Sequence, residues 1–304
     1  MTTPAGPIGR RYGVVVVNYN STSLLATNLV RSRFAPGSDV IVVDNSDDAD
    51  EKTRLIALAR DHDWQVLDAG GNIGFGAGVN LGVARAESRG CDTVLLLNPD
   101  ASIEDDQFAR LAAAQAEHPD AMVSPTVDRD DGTVWFSGAV IDSRRGVASH
   151  RLDRFENSDW LSGACLSVPL PAWHELHGMD DDYFLYWEDV DFTSRWRQMG
   201  HDLLVIPDAH ATHSVGGTQT SSRGKSLTFI YYNCRNRLLF ASKNLPRKTA
   251  LVWALTAPGY CLRMLRLARV RRSPDRSKII GAVLAGTASG IRLSYSPFRS
   301  RKKR

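Results

Sequence analysis

Runs of apolar, largely β-branched residues recur along the first hundred positions, at 14–17 (VVVV), 40–43 (VIVV) and 94–97 (VLLL), with a weaker one near 64–67 (WQVL). Continuous runs of this length read as strands buried on both faces. Between them lie helix-length stretches at about 21–33, 51–61 and 79–88, the first opened by Ser21 as a helix cap. Strands that alternate with helices at this spacing leave few folds open, and the natural one is a parallel sheet with right-handed crossovers.

Parallel strands expose their carboxyl ends at one edge. Asn18, Tyr19 and Asn20 follow the first run, Asp44 and Asn45 the second, Asn72 the third, and Asn98-Pro99-Asp100 the fourth. They are expected to meet in one crevice, the place where open α/β sheets bind nucleotides. Any single Asx residue there is equally well read as a turn former, but four polar strand ends in succession favour the crevice.

The glycine stretch GGNIGFGAGVNLG at 70–82 is not a dinucleotide fingerprint, because it follows the third strand and its spacing departs from G-x-G-x-x-G. Two readings stay open. The glycines let a ligand approach the backbone of Gly74 and Phe75 with Asn80 pointing inward, or they form a flexible connector.

Further on, 104–117 is expected to be an amphipathic helix and 121–124 a strand, while 128–160 is polar, alternating and without assignment. SGACLSV at 162–168 reads as a strand entered through a small-residue turn that leaves room for a ligand. The segment DDDYFLYWEDVD at 180–191 carries four aromatic residues into Glu188, Asp189 and Asp191. A helix starts there and ends at Gly200, with Phe192, Trp196 and Met199 as its buried stripe. Acids in a first turn are favoured by the helix dipole at roughly 0.3–1 kcal/mol each, which explains one or two of them. An apolar lip leading into a carboxylate suits a sugar face and a general base. Glu188 and Asp189 project about 100° apart, so only one points squarely into a given site. After a strand at 203–206, His210 and His213 stand at another strand exit, and His213 is a candidate metal ligand.

Charge divides the chain. Residues 1–222 carry 17 Lys and Arg against 33 Asp and Glu, whereas 223–304 carry 20 against 1. The expected organisation is one large domain over 1–222 and a basic, helical region over 223–304 that meets something anionic. No nucleic-acid-reading motif accompanies the charge, so nucleic acid is not expected as the partner. Apolar runs at 249–262 and 279–291 are framed by Lys and Arg and fall short of the ~20 residues that span a bilayer, which fits helices lying on a membrane surface better than a solvated tail. Cys91, Cys165, Cys234 and Cys261 form no C-x-x-C pair, and no export signal opens the chain, so reduced thiols in a cytoplasmic protein are expected.

In order, VVVVNYN, VVDNSD, GNIGFGAGVNLG, LLLNPD, SGAC, FLYWEDVDFTSRWRQMG and ATHSVGG resemble the motifs of family 2 glycosyltransferases with the GT-A fold, in their bacterial rhamnosyltransferase-like branch. The resemblance covers about residues 12–240. It implies a Rossmann-like, mostly parallel sheet that binds a nucleotide-diphospho-sugar. Asn18, Tyr19, Asn20 and Asn45 match the nucleotide-contacting loops and Asp44 the acid that hydrogen-bonds the pyrimidine. Asn72, Gly74, Phe75 and Asn80 fall in the segment lining ribose and base. Asn98-Pro99-Asp100 stands where the family has D-x-D, whose last acid holds Mg²⁺ or Mn²⁺ on the donor diphosphate. With a neutral Asn98 in first place, the weight falls on Asp100 and on His213, which matches a histidine that completes the metal shell. Asp189 matches the catalytic base, with Glu188 as its neighbour in the pair.

The implied reaction is a single displacement with inversion: a cation neutralises the departing diphosphate, and a carboxylate takes the proton of the incoming hydroxyl. The best-fitting donor is dTDP-L-rhamnose and the acceptor a lipid-linked, polyprenyl-diphosphate cell-envelope glycan, reached from the inner face of the membrane. A UDP-hexose or UDP-N-acetylhexosamine donor is the alternative within the fold. A non-catalytic sugar-nucleotide-binding module is the alternative outside enzymes.

Overall fold

The computed structural model describes residues 10–152, 155, 157–214, 220–221, 224–268 and 274–294. It divides into two compact units, one comprising Met1–Val140 and Ser149–Thr218, the other Ile141–Ala148 and Gln219–Arg304.

The chain of the first unit runs β1 (Tyr12–Asn18), α1 (Thr22–Thr27), β2 (Asp39–Asp44), α2 (Ala49–Asp61), β3 (Gln65–Asp68), α3 (Phe75–Ser88), β4 (Thr93–Leu97), β5 (Ala101–Ile103), α4 (Asp105–Glu117) and β6 (Met122–Asp128). It continues with β7 (Val134–Phe136), the hairpin β8 (Ala139–Asp142) and β9 (Val147–His150), β10 (Cys165–Pro169), α5 (Leu170–Glu175), α6 (Glu188–Gln198) and β11 (Leu203–His213). The sheet order is β3-β2-β1-β4-β10-β6-β11-β5, with β7 on β6. Neighbours β3, β2, β1 and β4 pair in parallel, and so do β6 and β11, while β10 runs antiparallel to both β4 and β6. The sheet is therefore mostly parallel, with one reversed strand inside it. β1 and β4 are buried along their whole length, as their uninterrupted apolar runs require.

The reversed β10 decides what reaches the site. Cys165 pairs with Leu97, so the start of β10 lies at the carboxyl end of β4, and the turn at 162–164 joins the polar edge. β11 is longer than expected. It continues past Pro207 through a bulge in which Ile206 pairs with Pro125 but His210 with Thr126, and it ends at His213. At that end His213 pairs with Ala101, beside Asp100.

Three expectations are corrected in local detail. α1 ends at Thr27 instead of near 33. α3 starts at Phe75 instead of Val79, which puts Gly76, Gly78 and Gly82 inside it. Gly78 and Gly82 serve helix-to-sheet contact, since a Cβ at Gly78 would lie 3.0 Å from Val17 and one at Gly82 would collide with Val15, while Gly76 faces Met179 and Glu188. Met199 is 48% exposed and not part of the stripe of α6, because the helix stops at Gln198 and Trp196 stacks on His201 instead.

The second unit contains α7 (Leu227–Asn244), α8 (Arg247–Leu255), α9 (Ala257–Leu267) and α10 (Arg276–Ser294). Ile230, Cys234, Met264, Ile279 and Val283 form its apolar centre. Gly286 and Gly290 let α10 close onto the backbone of α7 at Tyr231 and Arg235. The buried guanidinium of Arg237 donates to the carbonyls of Gly146 and Trp253 and to the hydroxyl of Thr256, which fixes the segment Ile141–Ala148 to α7 and α8. Among the described residues no helix is long and apolar enough to cross a membrane. Arg269 and the terminal cluster at 301–304 lie outside the described residues.

Candidate active site

The β1 and β2 exits are built from side chains that hold one another. Asn18 is fully buried, its amide donates to Asp44 Oδ1 (3.1 Å) and Ser46 Oγ (3.3 Å), and its carbonyl accepts the Ser21 N–H. Asp44 also accepts the Ser46 N–H. Asn45 donates to the carbonyl of Gly74 at 2.9 Å, which ties β2 to the start of α3. Asn80 donates to the carbonyls of Met179 and the carboxylate of Asp181 and accepts the Met179 N–H, so its amide braces the 178–181 loop. Expected as ligand contacts, Asn18 and Asn80 thus have their side chains committed within the chain, whereas Asn45 commits its amide N–H and keeps a buried Oδ1 without a partner among the described residues. The residues left facing outward are Tyr19, 47% exposed, Asn20, and the half-buried Asn72, Phe75 and Asn98. Ser46, which the sequence reading passed over, accepts both the Asn20 N–H and the Asn18 amide and is the hub of these loops.

Gly74 has φ +91°, a conformation open to glycine, and the carbonyl of Phe184 accepts the Phe75 N–H at 2.9 Å. That bond brings the 180–187 segment onto the α3 N-terminus. Tyr186 and Trp187 both take left-handed φ values, +64° and +74°, immediately before Glu188. Two such non-glycine residues in a row cost about 1–3 kcal/mol each, and strain of this kind persists where the surroundings over-determine it. Here the buried Trp187 and the Asp191–Arg195 pair do so. Asp191 is fully buried, accepts from Tyr183 Oη and meets Arg195 Nε at 2.8 Å, while Arg195 also donates to the carbonyls of Leu176 and Gly178. Asp191 is therefore structural.

The two remaining acids are in different settings. Glu188 is buried against Gly76 of α3, and its Oε2 has no partner among the described residues. Burial, reinforced by the charge of Asp189, pushes its carboxyl well above the ordinary range. Asp189 is less buried, with Oδ2 accepting the Gly163 N–H (3.1 Å) and Oδ1 its neighbour Val190 N–H (2.8 Å). Burial raises it too, but those bonds work the other way by stabilising the carboxylate. Asp189 is thus the one that ionises first and stays oriented. The turn at 162–164, expected to leave space for a ligand, instead supplies the N–H that aims the acid.

At the other end of the edge, His213 Nε2 lies 2.9 Å from Asp100 Oδ1, and both residues are 7% exposed. His213 Nδ1 is buried without a partner among the described residues. The ring nitrogen that meets Asp100 is Nε2, so a divalent cation shared by the two residues would replace that contact, with Nε2 and a carboxylate oxygen as donors and its other ligands from a bound diphosphate. Among the described residues no group of three or more His, Cys, Asp or Glu side chains could hold a metal ion, so a shared ion would draw on Asp100, His213 and Asn98 together with a bound diphosphate. Burial raises the phenol of Tyr186, and the charges of Glu188 and Asp100 raise it further. The Asn98 N–H donates to the carbonyl of Ala164, which fixes the β4 exit next to the Gly163 turn.

This arrangement has known counterparts. A family model described as "Glycosyl transferase family 2" matches residues 13–165, half of the chain. An N-acetylglucosaminyl-diphospho-decaprenol L-rhamnosyltransferase of Mycobacterium tuberculosis is 28% identical over 236 residues, 67% of this chain and 77% of the relative. The dTDP-rhamnosyl transferase RfbF of Shigella flexneri is 21% identical over 239 residues, 76% and 79% of the two chains. Among solved structures, a Pyrobaculum calidifontis mannosyltransferase in complex with GDP-Man and Mn²⁺ has the same fold, with a TM-score of 0.56 at 15% identity over 93% of this chain and 87% of that one.

Proposed function

The chain belongs to glycosyl transferase family 2, and on that premise we propose that it transfers L-rhamnose from dTDP-L-rhamnose, with inversion, to a lipid-linked glycan carried on a polyprenyl diphosphate. The donor and acceptor rest on the relatives, three of which are named as rhamnosyltransferases, one of them for a diphospho-decaprenol acceptor. The observation that carries the chemistry is Asp189, a half-buried carboxylate held by two backbone N–H groups beside a more strongly protonated Glu188.

In this reading the nucleotide lies over the β1, β2 and α3 edge, with Tyr19, Asn20, Asn72 and Phe75 lining it and Asn18, Asp44 and Asn45 fixing the loops. Asp100 and His213, with Asn98, hold a divalent cation, Mg²⁺ or Mn²⁺, which when bound offsets the charge that develops on the diphosphate. Asp189 accepts the proton of the acceptor hydroxyl as its oxygen attacks the anomeric carbon from the face opposite the nucleotide. A proton held on Glu188 keeps a second negative charge away from the acid that must remain basic. The buried setting excludes water, which would otherwise compete as the nucleophile.

Turnover with a panel of dTDP- and UDP-sugars, with and without Mn²⁺, tests the assignment. Release of dTDP from dTDP-rhamnose at least tenfold faster than UDP from UDP-hexoses or UDP-N-acetylhexosamines is expected. Preference for a UDP-sugar would replace the donor, and binding without any turnover would make the chain a carrier.

The second unit is proposed to lie on the anionic inner membrane surface, making the enzyme peripheral. Leu251, Leu255, Leu262, Ile280, Leu284 and Ile291 are exposed on its helices, and Leu255 is 72% exposed. Apolar side chains on helices rich in Lys and Arg combine the two terms that hold a peripheral protein on such lipid, each near-surface cation adding about 1 kcal/mol. Replacing Leu251, Leu255, Leu262 and Leu284 together by Ser in the full chain should lower sedimentation with phosphatidylserine-containing vesicles by about tenfold or more. Unchanged sedimentation would refute the membrane assignment.

A further inference from the structure

On the β6 and β11 side of Asp100 the first unit carries an aromatic wall that the chemistry above does not use. The indole of Trp135, half-buried on β7, stands 4.5 Å from the ring of His213, the partner of Asp100. His150 meets Trp135 edge-on at 4.7 Å, and its Nδ1 is bonded to the Trp135 carbonyl at 3.0 Å. Trp160 lies 5.5 Å from His150, 6% exposed, and its Nε1 is buried with no partner among the described residues. A buried indole N–H left unpaired is costly, and an indole is a donor only, so an acceptor oxygen that reached it would be bound. Leu161 and Gly163, just beyond Trp160, donate to Thr193 and Asp189 of α6, so the wall is continuous with the proposed base.

Strand order says which substrate faces it. The nucleotide-side loops follow β1, β2 and β3 at one end of the sheet, while β7 pairs with β6 on the far side of β4 and β10. Asp100, after β4, and Gly163, before β10, lie between. A molecule resting on Trp135 therefore approaches the reacting centre from the side opposite the nucleotide, the approach an inverting displacement requires of its acceptor. The wall's chemistry fits a pyranose, whose C–H face packs on an aromatic ring with its electron-rich face, and whose hydroxyls ring its edge.

We propose that Trp135, His150 and Trp160 form the acceptor subsite, with Trp135 as the stacking platform for the acceptor's terminal pyranose and Trp160 Nε1 donating to one of its hydroxyls. The subsite rests on the transfer reading above. It makes Trp135 a specificity-determining residue for the acceptor.

The full chain is assayed with dTDP-rhamnose and a short-chain N-acetylglucosaminyl diphosphoryl polyprenol, following acceptor KM, donor KM, acceptor-free donor hydrolysis and the melting temperature. Trp135→Ala is expected to raise acceptor KM about tenfold or more, well beyond any change in donor KM, and Trp135→Phe to restore most of it. Trp160→Phe keeps the ring and removes only the N–H, and is expected to raise acceptor KM about threefold or more. If Trp135→Ala melts early, the split between acceptor and donor KM in Trp160→Phe decides. Unchanged acceptor KM in all variants, or a rise in donor KM instead, overturns the subsite while wild-type transfer leaves the enzyme reading standing. A wild-type chain that neither hydrolyses nor transfers from any donor overturns that reading, and the subsite with it.

Discussion

Asp189→Asn is expected to lower sugar transfer by about 10²–10⁴-fold while nucleotide binding stays at the wild-type level. The substituted amide keeps an oxygen to accept the Gly163 N–H, so the turn before β10 should hold its place, and what is lost is the ability to take a proton. Folding should not suffer. Glu188 and Asp189 are both held above the ordinary carboxylate range, so the folded chain favours their neutral forms. The stability they contribute is complete below the ordinary carboxylate pKa and is lost as pH rises through the raised folded values. At neutral pH the pair is a liability, and Asp189→Asn should melt at or above the wild-type temperature. The same shift governs the rate: wild-type transfer should fall at acid pH on a limb displaced upward from that of a free aspartate, and the residual activity of the variant should lack that limb. Full activity in Asp189→Asn, or an unchanged acid limb, would move the base elsewhere.

Asp100→Ala is expected to reduce transfer by about 10²-fold or more and to abolish the increase in nucleotide affinity that Mn²⁺ confers. The reasoning is local. Asp100 is the only carboxylate at the β4 exit, since the position two residues earlier is the neutral Asn98, and among the described residues its side chain meets His213. Its removal leaves two nitrogen or amide donors, too few and too weak to hold a hard cation against water. Calorimetric titration of dTDP with and without Mn²⁺ reads this apart from catalysis, and His213→Ala should weaken the same metal-linked term. Equal metal dependence in Asp100→Ala would place the cation on other residues.

Much of this site was legible before any coordinates, and the reasons are physical. Uninterrupted apolar runs ending in Asn or Asp can be little else than buried parallel strands, so the β1, β2 and β4 exits were readable in Asn18, Asp44 and Asp100. Helix caps and first-turn acids likewise announced α6. Strand direction was not readable: SGACLSV looks the same parallel or antiparallel, and only the reversed β10 brings Gly163 to Asp189. The glycines were read from a ligand's viewpoint, whereas the demand at Gly78 and Gly82 comes from Val17 and Val15 beneath them, and Gly76 faces Met179 and Glu188. Asn80 carries no local mark that its partner is Met179, 99 residues away. Trp135 and His150 lie in 128–160, where short alternating stretches between turns gave no period to follow, and only the pairing of β7 with β6 brings Trp135 beside His213, with His150 of β9 against it.

The anomeric configuration of the transferred sugar tests the central claim most directly. A single displacement guided by Asp189 predicts that nuclear magnetic resonance of the product formed from dTDP-rhamnose shows the configuration opposite to that of the donor, in every turnover. A product that retains the donor configuration would contradict the account, because retention requires a second displacement or a front-side route in which Asp189 has no role as base.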